Sequence, residues 1–97
     1  MGLTSALLKR ELKKRIDVLL SLLSKNTLNN AAVTEVLNGI ISSIEKLQEI
    51  KPNELLFQIL DGAKLLKGEI LMNVYNKTIA IDRAKRMEQF FKLYCEY

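Results

Sequence analysis

Histidine is missing altogether, which removes the commonest general base and the commonest transition-metal ligand. A single cysteine, Cys95, cannot assemble a zinc site or an intramolecular disulfide. A lone thiol fits a reducing compartment, so a cytoplasmic protein is expected. Without a histidine to activate it, Cys95 is also a poor nucleophile. Four glycines, Gly2, Gly39, Gly62 and Gly68, are scattered and form no phosphate cradle, and no EF-hand loop is present. Carboxylates do meet on one helix face at Glu45 and Glu49, but a surface pair of this kind is ordinarily a solvated face. No enzyme, no metal and no cofactor is expected.

Long apolar runs are equally scarce. Charged residues make up 27% of the chain and interrupt every hydrophobic stretch, so no membrane span is expected. The N-terminus lacks the order of a signal peptide, because its basic cluster follows the first leucines. "MGLTSA" begins like a myristoylation signal, but Ala6 stands where Ser or Thr is needed.

What remains is rich in Leu, Ile, Lys and Glu, with 48% apolar residues over 97 positions. That is one domain's worth of chain, able to bury roughly two-thirds of its unfolded surface. Leu8, Leu12, Ile16, Leu19 and Leu23 repeat at helical spacing, with Thr4 or Ser5 available as a cap. "KNTLNN" breaks the pattern, and Asn30 is a good N-cap for a second helix carrying Val33, Leu37, Ile40, Ile44 and Leu47. Gly39 inside that helix costs roughly 1 kcal/mol against alanine and points to close helix approach. Pro52 and Glu54 read as a third N-terminus, followed by Leu55, Ile59, Ala63, Leu66, Ile70 and Val74 on one face. "EILMNVY" admits a strand, but a lone strand lacks a pairing partner. After "YNKT", Ala80, Ala84, Met87, Phe91 and Tyr94 align. The expectation is an all-α, up-down bundle of about four helices near 5–25, 31–50, 52–74 and 78–95 within a single domain, 1–97.

Charge is uneven. The net +4 resolves into +4 over residues 1–30, −2 over 31–60 and +2 over 61–97. Lys9, Arg10, Lys13, Lys14 and Arg15 crowd the first helix, a candidate contact for nucleic acid or an acidic protein. The same residues serve equally as the wet side of a bundle helix. No base-reading motif, aromatic stacking platform or basic tail accompanies them, so any nucleic-acid binding should be weak and sequence-independent.

The C-terminus offers a second surface. Phe90, Phe91 and Tyr94 fall within five positions, with Tyr97 at the end. Met87, Phe90, Tyr94 and Tyr97 are candidate docking residues, because aromatics are enriched at interface hot spots. "AKRMEQFF" resembles the sliding-clamp-binding box, with Met87 three places before the Phe90–Phe91 pair. It departs from that box at Ala84, where glutamine is usual, and Met87 and Phe91 also have ordinary core spacing. Apolar residues outside the stripes, Val18, Leu20, Leu22, Phe57 and Leu65, admit a homodimer.

In size and overall character the chain resembles small crenarchaeal and archaeal-virus proteins. Among them it is similar to the small helical accessory subunit of the crenarchaeal B-family DNA polymerase holoenzyme. That resemblance implies a non-catalytic subunit that binds the polymerase and touches DNA through the basic helix. The seven asparagines depart from hyperthermophile usage.

Overall fold

The computed structural model describes residues 2–96, with side-chain surroundings described from residue 4 onward. Four helices account for nearly all of it: α1 (Gly2–Leu23), α2 (Asn30–Ile50), α3 (Glu54–Leu71) and α4 (Lys77–Glu96). Among the described residues there is no strand; "EILMNVY" runs as helix to Leu71 and then turns. The connections are too short to cross the bundle, so successive helices are antiparallel. α1 packs on α2 and α4, α3 packs on α2 and α4, and the diagonal pairs do not meet. The result is an up-down bundle of 40 × 20 × 19 Å.

Each helix buries one stripe. In α1 it is Leu8, Leu12, Ile16, Leu19 and Leu23, and in α2 it is Val33, Leu37, Ile40, Ile44 and Leu47, both as the spacing predicts. In α4 it is Ala80, Ala84, Met87 and Phe91, with Tyr94 only half-buried. The α3 stripe departs from expectation: it is Leu56, Ile59, Leu60, Ala63, Leu66 and Ile70. Leu55 is half-buried, and Val74 stands exposed beyond the helix. The cause is α3's own composition, which offers apolar residues on more than one face.

Asparagine sets the helix ends. Asn29, not Asn30, caps α2, its Oδ1 accepting from the Ala32 amide at 3.1 Å. Asn53 caps α3 by accepting from the Leu55 amide at 2.8 Å, which leaves Pro52 before the helix and not at its first position. Asn76 caps α4 by accepting from the Ile79 amide at 3.1 Å. Gln48 fixes the α2–α3 turn: its Oε1 accepts from the Asn53 amide at 2.8 Å and its Nε2 donates to the Asn53 carbonyl at 3.3 Å. α1 is already helical at Gly2, which places Thr4 and Ser5 inside the helix and not at its cap.

α3 ends in a Schellman motif. The Val74 amide donates to the Glu69 carbonyl at 2.9 Å and the Asn73 amide to Ile70 at 3.2 Å. Asn73 takes φ = 57°, the left-handed conformation that favours glycine and tolerates asparagine. Asn73→Ala should therefore destabilise the fold by about 1 kcal/mol and Asn73→Gly should not. Urea unfolding of the two variants beside the parent checks this.

Candidate functional site

The five cations of α1 do not form one surface. Arg15 turns toward α2, where its Nη1 donates to Ser43 Oγ at 2.7 Å and lies 3.3 Å from Glu11 Oε2. Gly39 makes the room: a β-carbon there would lie 2.5 Å from Arg15 Nε. The close approach that Gly39 permits is thus to an arginine side chain. Arg15 joins two helices through Nη1. Lys9 turns toward α4, its Nζ 5.1 Å from the centre of the Tyr94 ring, a cation–π distance.

Arg10, Lys13 and Lys14 remain exposed. Among the described residues the ion pairs are Arg15–Glu11 and Arg83–Glu69, so none of these three cations is in an ion pair, although Lys13 shares a groove with Asp17, Glu88 and Glu96. At 100° per residue, Arg10 and Lys14 lie opposite the Leu12–Leu19 stripe and Lys13 lies toward α4. Exposed Asp17 falls on the same arc and offsets part of the charge. The face is cationic, with one guanidinium, Arg10, between two ammonium groups.

At the C-terminus the structure separates residues that the sequence grouped. Met87 is 1% exposed and Phe91 is 6% exposed, so Met87 is core and not a docking residue. Two apolar anchors of the clamp-like segment are therefore inside the bundle, and docking them elsewhere would require α4 to leave it. Phe90 is half-buried against the core, in a groove between α3 and α4 with Gly62, Leu65 and Arg86. Tyr94 rests against Phe91, ring centres 6.5 Å apart. Burial pushes its hydroxyl above the usual tyrosine range, with a smaller push from Cys95. Tyr97 lies outside the described residues.

Cys95 is exposed on the seam between α1 and α4, beside Phe91 and Lys92. Partial desolvation pushes its thiol up, against the opposing pull of Lys9 and Lys13. The thiol therefore stays protonated at neutral pH, the unreactive form. Among the described residues no group of three metal-ligating side chains converges, and no helix is long and apolar enough to cross a membrane.

One surface emerges only from the fold. α3 and its C-cap residue Met72 have a second face, opposite the core stripe, formed by Phe57, Asp61, Leu65, Gly68 and Met72. Phe57 is 51% exposed, Leu65 54% and Met72 76%. The signal was present in the sequence, since Phe57 and Leu65 fell outside the expected stripe, but their alignment with Gly68 and Met72 depends on the true phase of α3.

Compared with known proteins, the chain matches no family model, no curated protein and no solved structure.

Proposed function

We propose that the chain is a non-catalytic helical accessory subunit of nucleic-acid machinery, holding the phosphate backbone against the outer face of α1. The carrying observation is the division of labour among the five cations. Lys9 and Arg15 are engaged within the bundle, while Arg10, Lys13 and Lys14 stand exposed and unpaired on its outside. Each phosphate neutralised by such a cation releases a condensed counterion, which drives binding without reading sequence. A fold held together by buried apolar stripes leaves these three residues with no part in its stability. The resemblance to the crenarchaeal polymerase accessory subunit supplies the setting, DNA replication, and the protein partner, a DNA polymerase.

Charge reversal tests the contact. Arg10→Glu, Lys13→Glu and Lys14→Glu together should weaken duplex binding in low salt by at least ~100-fold, since three attractions become three repulsions. Helicity and melting temperature should hold, because all three positions lie off the core stripe. Unchanged binding by the triple variant, or no binding by the parent chain, contradicts the phosphate contact.

A further inference from the structure

Among the described residues nothing covers the outer face of α3, yet it is built like a helix–helix seam. Its positions 57, 61, 65, 68 and 72 follow one another at intervals of four, four, three and four, the spacing by which a helix presents one edge to a neighbour. A helix with apolar residues on two opposite faces ordinarily has both of them covered. α3 covers one against α2 and α4.

Gly68 sharpens the question. A glycine inside a helix costs roughly 1 kcal/mol against alanine, and something usually requires it. At Gly39 the requirement is the Arg15 side chain, and at Gly62 it is Met87, whose Cγ would lie 3.1 Å from an added β-carbon. At Gly68 nothing lies within 4 Å. No neighbour among the described residues explains this glycine, and a second chain brought close to the face would.

We infer that the outer face of α3 is a homodimer interface, in which α3 packs antiparallel on α3 of a second copy about a two-fold axis near Leu65. The face matches itself in that arrangement. Phe57 comes opposite Met72 of the other copy, and the two Leu65 side chains meet beside the axis. Asp61 comes opposite Gly68 of the other copy, where the missing side chain leaves room for the carboxylate. One turn away from that glycine stands Lys64 of the same copy, so each Asp61 has a cation within reach across the axis, and the pair occurs twice by symmetry. A parallel pairing would instead set Asp61 against Asp61. Self-complementarity of apolar size, charge and space is what selects a second copy as the occupant. α3, with 18 residues, offers a contact about 27 Å long. The grooves on either side of Leu65, one holding Gly62, Arg86 and Phe90 and the other Gly68, Met72 and Val74, widen it.

The dimer does not depend on the phosphate contact of α1, which lies diagonally across the bundle from α3. The two readings therefore fail separately. Sedimentation equilibrium of the full chain should give about twice the 11.1 kDa chain mass, with little change between low and high salt. Leu65→Lys should raise the dissociation constant at least ~100-fold by burying unpaired charge at the axis, with circular dichroism confirming intact helices. Asp61→Lys should weaken the dimer, and adding Lys64→Asp should restore it, because the swap re-forms the same pair reversed. A monomeric parent chain overturns the inference. So does a dimer indifferent to Leu65→Lys, or a charge swap that fails to rescue.

Discussion

Phe91→Ala should destabilise the bundle by about 3–5 kcal/mol, the range for truncating a buried aromatic. Phe91 is 6% exposed and packs on the α1–α4 seam beside Ile16. Its neighbour should behave differently. Phe90 is half-buried in the α3–α4 groove, packed against the core from its edge. Phe90→Ala removes contacts on one side only and should cost about 1–2 kcal/mol, less than a fully buried ring. Chemical denaturation of both variants measures the two values directly. Equal losses would mean that Phe90 is core.

The second large effect belongs to Arg15. Arg15→Ala should cost about 2 kcal/mol, combining a charged hydrogen bond to buried Ser43 with the packing of the arginine stem over Gly39. Arg10→Ala, one turn and a half away by angle, should stay within about 0.5 kcal/mol of the parent, as expected for an exposed side chain without partners. For duplex binding the order reverses. Arg10→Ala should weaken it, and Arg15→Ala should not, provided that binding is measured well below the variant's melting temperature. Arg15 loss that leaves stability unchanged would show that the Ser43 contact carries nothing.

The core stripes of α1 and α2 were legible in the sequence, although α1 begins earlier than its expected cap and Asn29 replaces Asn30 as the cap of α2. The buried stripe of α4 was legible to Phe91, but Tyr94 lines a groove with Lys9, Ile50 and Asn53 and stays half open. α3 misled for a physical reason. Leu55 and Leu56, like Ile59 and Leu60, are adjacent apolar pairs, and two phases fit until α2 and α4 choose between them. Helix starts were off by one residue at α2, where Asn29 and Asn30 both suit a cap, and by two at α3, where Pro52 suits a first helical position but Asn53 takes the cap ahead of Glu54. The asparagine content that sat poorly with hyperthermophile usage has a structural use, since Asn29, Asn53 and Asn76 open helices and Asn73 closes one.

The basic cluster shows where sequence reading stops. Its position on α1 and its separation from the apolar stripe follow from angles along one helix. That Arg15 is consumed by Ser43, 28 residues on, and Lys9 by Tyr94 are contacts between helices. No local pattern announces them. Gly39 was the visible trace of the first, and the aromatic run near the C-terminus was the trace of the second.

The most direct measurement is the duplex-DNA affinity of the unmodified chain as a function of salt. Three free cations, Arg10, Lys13 and Lys14, each displacing a counterion should give a log–log slope of roughly −2.7, and the same slope on unrelated sequences. A slope near zero, or a sequence-specific footprint that persists at high salt, would contradict a phosphate-holding face on α1.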